Sequence, residues 1–388
     1  MPTDGLRSLD LFRALSAQVV VIGHAFAFIL KQGVPIAGGV FGLVGWRLLG
    51  LLSGHGIDAV AVFFVLSGLL VGGPLPRLVR QGRFQPFDYL LRRASRMYVV
   101  LVPGLAISAL LVMSAFAWGD GASVIAANTP WYPEGWPVAE SMSLSTGACN
   151  LAFLQTVLCP QFMHNSALWS LSNEVMYYAA FPALLTLPRT LTRRGGWVSG
   201  AILCAVGAAW GYAEFREPGR GLMFAVGFVA WLMGAYSETL IPMFWPHGPF
   251  GSVAFSLGVS AAGLAAVRSG DSSLRFLGIA AGVLVALRHQ GLVEAALRRM
   301  ALVARAIKLG SDYSYSLYVV HLPLLFALLS VSPMLREKVT RSAGTFAAMV
   351  TILAAINVVA YLFHRVFECH YRGVYLWLRE RFAPRQTA

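Results

Sequence analysis

Residues 97–118, MYVVLVPGLAISALLVMSAFAW, decide the fold. The stretch carries no charged side chain. At about 1.5 Å of rise per residue, a helix of that length crosses the ~30 Å hydrocarbon core of a bilayer. Arg92, Arg93 and Arg96 stand just before it, where a cytoplasmic flank is expected. Working outward, similar apolar runs recur at roughly 11–30, 52–73, 166–187, 197–213, 220–236, 250–267, 273–288, 311–331 and 343–364. The pattern predicts about ten transmembrane helices. The shortness of 273–288 leaves that count open by one.

Composition agrees. Hydrophobic residues make up 57% of the 388 and charged residues 12%, with a mean hydropathy of +0.66. A soluble domain carries roughly 25% charge. A disordered chain, a collagen-like chain and a cytosolic enzyme are excluded. A β-barrel would show segments of about ten residues with alternating polarity, and none stands out. The predicted class is an all-α, polytopic integral membrane protein. Neither a repeat nor a large water-soluble domain is evident, so one transmembrane domain over 1–388 is expected. The first apolar run reads as an anchor and not as a cleaved signal.

The net charge of +13 rests on 27 Arg against 3 Lys. In a membrane chain such a balance reports topology first, and no nucleic-acid partner is expected. With the N-terminus inside, the inner segments hold 20 Lys and Arg and the outer ones 9. Both termini are therefore predicted to be cytoplasmic, with 365–388 as a cytoplasmic tail. Segment 237–249, inside on this assignment, has no Lys or Arg. The extracytoplasmic loop 119–165 also has none and is rich in Pro, Gly, Ser and Trp, which suits a lid or an acceptor platform. Four Cys lack metal-ligand spacing, and no metal site is expected. Cys149 and Cys159 share the outer loop, where a disulfide is possible; Cys204 and Cys369 are not expected to join it.

Ionisable residues within apolar runs mark functional sites by default. Arg13 and His24 lie on one face of the first helix, ~16 Å apart along its axis. A neutral His24 can act as a general base; a packed imidazole beside a snorkelling Arg is the plainer alternative. Asp10 could pair with Arg13 or simply mark the helix end. Asp58 is an oddity in an apolar run, unless it faces water at an interface. Ser67-Gly68 would let a backbone or a ligand approach closely. Arg92, Arg93 and Arg96 can bind phosphates bidentately or serve only as an inner anchor. The run Trp169-Ser170-Leu171-Ser172-Asn173-Glu174 places Ser170 and Glu174 on one face, as a site or as a capping cluster. His321 falls about mid-span beside Pro323, with Tyr318 one turn away; a polar helix contact is the plainer reading. There is no Gly-x-Ser-x-Gly elbow, no P-loop and no His-Glu-x-x-His.

In combination these residues resemble the acyltransferase 3 family of bacterial integral-membrane O-acyltransferases, from Leu6 to about Glu368. The blocks stand in the family's order: Arg13 and His24 at the Arg–ten residues–His spacing, FFVLSG at 63–68, the arginines at 92, 93 and 96, WSLSNE at 169–174, and the Ser-Tyr-Ser-Leu-Tyr…His-Leu-Pro run at 314–323. The chain departs at Ala61, where the family often has an acidic residue, and at Met97-Tyr98, where it often has Pro. A C-terminal esterase-like domain is not expected.

The resemblance implies a multi-pass protein of the bacterial cytoplasmic (inner) membrane. It implies acyl-CoA, with acetyl-CoA first, as a co-substrate from the cytoplasm, and no cofactor. The acceptor would be a hydroxyl of a cell-envelope glycan or glycoside at the outer face. His24 is then the expected base. Arg13 and the 92–96 arginines would hold donor phosphates or orient the donor arm. Glu174 would orient His24 or the acceptor hydroxyl. His321, Tyr318, Asp58, Ser67, Trp169 and Ser170 would line the site. Trp118, Trp131, Tyr132 and Trp136 could stack on sugar rings or form an interfacial belt. The rival expectation is a transporter or flippase that uses the same polar residues, although no inverted halves are evident. The acceptor, the acyl chain, covalent or direct transfer, and the oligomeric state are not legible.

Overall fold

The computed structural model describes residues 7–31, 40–127, 138–190, 196–246, 248–332 and 338–382. Among these residues helices dominate, with isolated β-bridges and no strand. Ten principal helices carry the ten apolar runs: α1 Arg7–Ile29, α2 Gly56–Ser67, α3 Pro86–Trp118, α4 Trp169–Thr190, α5 Gly196–Arg216, α6 Arg220–Ala235, α7 Pro249–Arg268, α8 Ser272–Arg288, α9 Ser314–Val331 and α10 Ala343–Val366. The chain is an all-α polytopic membrane protein. By length and composition, seven spans suffice to cross a bilayer, or nine if two bent pairs each count once. Those pairs are α6 with Ser237–Phe244, bent by 75°, and α8 with Gln290–Arg299, bent by 62°. Helix α4 is long enough, but Ser170, Ser172, Asn173 and Glu174 make its opening turns too polar to qualify. The expected count of ten is thus not reached by this measure.

Short helices lie where loops were expected. Val40–Ser53 precedes α2, Gly121–Ala127 and Leu144–Leu151 lie within 119–165, and Tyr371–Phe382 occupies most of the tail. Each is short, so its apolar pattern is too brief to distinguish from a loop.

The chain divides into two compact units, each assembled from three stretches. The first comprises Met1–Ser16, Ile57–Tyr89 and Ser170–Ser311. In it α2 ends in a π-helical turn, Gly68–Gly72, a form that recurs at functional sites. This turn lies tight against α6. A Cβ at Gly68 would land on the Trp231 carbonyl, and one at Gly234 on the Val65 carbonyl. Glycine is needed at both because backbone meets backbone without room for a side chain. Helices α7 and α8 pack face to face, and α7 leaves Phe250, Val253, Leu257 and Leu264 exposed. A water-soluble surface would not present such a stripe; lipid accommodates it.

The second unit comprises Ala17–Gly56, Leu90–Trp169 and Asp312–Ala388. Its centre is α9, buried on almost every side, as a helix apolar all round must be. Helix α10 and Gly121–Ala127 pack against it. Gln18 donates to Asn357 at 2.6 Å, Asn357 returns a bond at 3.2 Å, and Tyr313 donates to Asn357 at 2.8 Å. Such side-chain pairs join helices where lipid supplies no partner.

The segment 138–168 is stitched to itself. Asn150 donates to the carbonyls of Thr146 and Pro160 and accepts from the Phe162 amide. Cys149 and Cys159 are disulfide-bonded, with their Cα atoms 6.5 Å apart. Cys204 and Cys369 are free thiols. Non-reducing peptide mapping is expected to recover Cys149 and Cys159 as one linked species. Closing a loop with a sequence separation of 10 restricts the unfolded segment by about 2.7 kcal/mol on the chain-entropy account. Cys159→Ser should therefore make this segment markedly more sensitive to protease. Two free thiols in the wild type, or unchanged protease resistance, would contradict this.

Candidate functional site

Two imidazoles meet in the second unit. His24 Nδ1 lies 2.9 Å from His321 Nε2, with the rings stacked at a centroid distance of 5.0 Å. Helix α1 supplies His24, half-buried, and the core of α9 supplies His321, fully buried. Nδ1 of His321 lies 3.0 Å from the Leu317 carbonyl and 2.9 Å from that of Tyr318. The Tyr318 ring stands 6.1 Å from the His321 ring. Three residues singled out by sequence, His24, His321 and Tyr318, are thus brought together.

Pro323 shapes the same helix. Without an N–H it cannot donate to the Val319 carbonyl one turn back. Asn165 supplies the missing bond, its amide donating to that carbonyl at 2.8 Å. This ties the segment before Trp169 to α9, two residues from His321. Sequence reasoning missed Asn165, although the orphan carbonyl implied by Pro323 was a usable signal. Nearby, Ser141 Oγ lies 3.1 and 3.0 Å from the two ring nitrogens of His164. Burial pushes the His164 imidazole down to about 4, so it stays neutral at pH 7. Trp118 is 85% exposed at the end of α3; Trp131, Tyr132 and Trp136 lie outside the described residues.

Arg92 and Arg96 of α3 are held by the last part of the chain. Arg92 stacks over the Tyr375 ring at 4.9 Å and Arg96 over Tyr371 at 5.1 Å. Arg96 also faces Glu368 at 4.0 Å. Glu368 is buried and accepts from the Ser316 amide at 3.1 Å and its hydroxyl at 2.6 Å, with His364 Nδ1 at 3.2 Å. The Nε of Arg93 is buried without a hydrogen-bond partner among the described residues. This group can receive an anion because planar guanidinium N–H edges suit phosphate oxygens. None of Glu368, Tyr371 and Tyr375 was singled out by sequence. An acidic side chain just beyond an apolar span was the one available signal.

In the first unit Ser67 and Glu174 belong to one hydrogen-bonded chain. Trp231 Nε1–H donates to Ser67 Oγ at 3.2 Å. Ser67 Oγ lies 3.1 Å from the Tyr178 hydroxyl, and that hydroxyl donates to the Glu174 carboxylate. Ser170 is buried on α4, and Trp169, at its start, is half-buried in the second unit. Asp58 does not face water. It is 4% exposed and receives two bonds from Arg275 of α8, each 2.7 Å. Asp10 accepts from Ser311 Oγ at 2.7 Å. Arg13 lies half-buried on α1. No cluster of metal-ligating side chains occurs among the described residues.

Comparison with known proteins gives the family. The profile of the acyltransferase 3 family, described as an acyltransferase domain, matches residues 6–365. The chain belongs to that family and is a membrane enzyme that transfers acyl groups, which decides against the transporter. No curated protein and no solved structure matches it.

Proposed function

We propose that this acyltransferase moves an acyl group, acetyl in the first instance, from cytoplasmic acyl-CoA to a hydroxyl of a cell-envelope glycan or glycoside at the outer face of the bacterial inner membrane. The observation that carries this reading is His24, an imidazole within an apolar span, held at Nδ1 by a second imidazole at 2.9 Å. Its position in the Arg–ten residues–His spacing supports the same role. His24 takes the acceptor hydroxyl proton as the oxygen bonds to the thioester carbonyl carbon. The C–S bond then breaks and the thiolate of CoA leaves with that proton.

Two features support the sidedness. The arginines of α3, backed by Tyr371, Tyr375 and Glu368, suit the phosphates of CoA. The Cys149–Cys159 disulfide suits an oxidising compartment on the other side. Mass spectrometry of cell-envelope glycans, with and without the gene, tests the overall reading. Loss of an O-acyl mass increment is expected, and identical glycans would contradict it.

The donor arginines carry a separate prediction. A hydrogen bond to a charged group contributes about 1.5–3 kcal/mol, or roughly ten- to a hundredfold in affinity. Arg93→Ala and Arg96→Ala should each weaken CoA binding on that scale. Arg96→Lys should restore only part, because it keeps a charge for Glu368 but lacks the planar fork. Calorimetry with CoA and purified protein measures this. Wild-type affinity in both Ala variants would refute the phosphate role and leave these residues as an anchor.

A further inference from the structure

The protons of the His24–His321 contact can be assigned by elimination. Nδ1 of His321 faces two backbone carbonyls, at 3.0 and 2.9 Å. Carbonyl oxygens only accept, so this nitrogen carries the hydrogen. A neutral imidazole has one N–H, so Nε2 of His321 bears a lone pair. That nitrogen lies 2.9 Å from His24 Nδ1, so His24 Nδ1 must donate. In neutral His24 the remaining lone pair is then on Nε2. Hydrogen bonds therefore run in one direction: His24 Nδ1–H to His321 Nε2, and His321 Nδ1–H to the α9 backbone.

From this geometry we infer that His321 is a positioning residue, which selects the tautomer of His24 whose Nε2 takes the proton of the acceptor hydroxyl. The inference rests on the base role proposed for His24. During transfer His24 becomes an imidazolium by gaining a proton at Nε2, and it loses that proton to the departing thiolate. Nδ1–H of His24 stays bonded to His321 throughout, and His321 neither gains nor loses a proton. An acidic partner would do the same orienting work, but it would place a formal charge in an apolar span, which is costly. A second imidazole orients the base and keeps the resting pair neutral. The i−3 and i−4 carbonyls of α9 fix the second ring in turn, so the helix backbone ultimately sets the direction of the chain.

The test compares His321→Leu, His321→Gln, His24→Ala and the double variant His24→Ala/His321→Leu. Turnover is measured on the purified full-length protein with radiolabelled acetyl-CoA and a cell-envelope extract. Loss of the orienting partner in a catalytic triad costs up to ~10⁴-fold through the wrong tautomer. His321→Leu should thus lose about a hundredfold or more in kcat, with the acetyl-CoA KM changed by less than about twofold. In His321→Gln the side-chain oxygen can accept from His24 Nδ1–H, and at least about tenfold of the loss should return. The double variant should be no slower than His24→Ala, because the two residues act as a unit. Histidine-selective ¹⁵N spectra of the wild type in detergent should show His24 protonated at Nδ1 and bare at Nε2. Near wild-type turnover in His321→Leu would overturn the inference. So would a Gln variant no better than Leu with unchanged acetyl-CoA binding, or the opposite tautomer in the spectra. If His24→Ala also turns over normally, the base role itself fails; if His24→Ala is dead and His321→Leu is normal, only the positioning role fails.

Discussion

His24→Ala is expected to lose about 10²–10⁴-fold in turnover, the range a positioned general base contributes. Gln18, the polar side chain nearest His24 in sequence on α1, cannot replace it, since it is engaged with Asn357 and has no basic nitrogen. The variant should insert and fold. Removing an imidazole from an apolar span lightens the helix, and His321 keeps its own bonds to the Leu317 and Tyr318 carbonyls. Donor binding should survive, because His24 is not among the residues expected to hold the donor phosphates. The expected signature is a large fall in kcat with little change in CoA affinity. Arg13→Ala should differ by weakening donor binding or helix placement along with rate, and Lys at 13 should rescue only in part. Single-turnover assays with labelled acetyl-CoA separate these cases. Near wild-type transfer by His24→Ala would remove His24 from the mechanism.

The largest expected effect on stability is at Asp58. Its carboxylate accepts two bonds from Arg275 at 2.7 Å while only 4% exposed. Removing one member of a buried pair leaves an uncompensated charge, at a cost of about 3–5 kcal/mol. The Arg275 side chain is 30% exposed, so the lower end, about 3 kcal/mol, is expected for Asp58→Ala. Asp58→Leu combined with Arg275→Met should recover most of this, since two apolar side chains leave no stranded charge. Melting in detergent, followed by size-exclusion fluorescence, checks both. A single variant as stable as the wild type would mean that the pair contributes nothing; a double variant worse than the single would point to a requirement for the charges themselves.

The apolar runs were legible because a span needs about twenty residues of one character, and each of the ten runs lies on a helix. The short helices were not, since Tyr371–Phe382 or Leu144–Leu151 offers too few turns for a period to emerge. Individual site residues were legible as misfits: a His, an Asp or a Glu inside an apolar run draws attention at once. Their partners were not. His321 follows His24 by 297 residues and Arg275 follows Asp58 by 217, and no local pattern links such positions. Asp58 shows the limit most clearly. Its position in an apolar run allowed it to face water at an interface, and in the fold it is buried with its carboxylate taken up by Arg275. Likewise Cys149 and Cys159 could be placed in one loop, but their pairing depended on a Cα separation that only the folded segment sets.

The most direct test of the account is ester formation itself. Purified wild-type protein, reconstituted in lipid vesicles, is given acetyl-CoA labelled in the acetyl group together with a cell-envelope extract. The expected result is free CoA released in step with alkali-labile label on a glycan or glycoside, and neither product with His24→Ala. Folded wild-type protein that releases no CoA and forms no labelled ester, or His24→Ala that forms as much as the wild type, would contradict it.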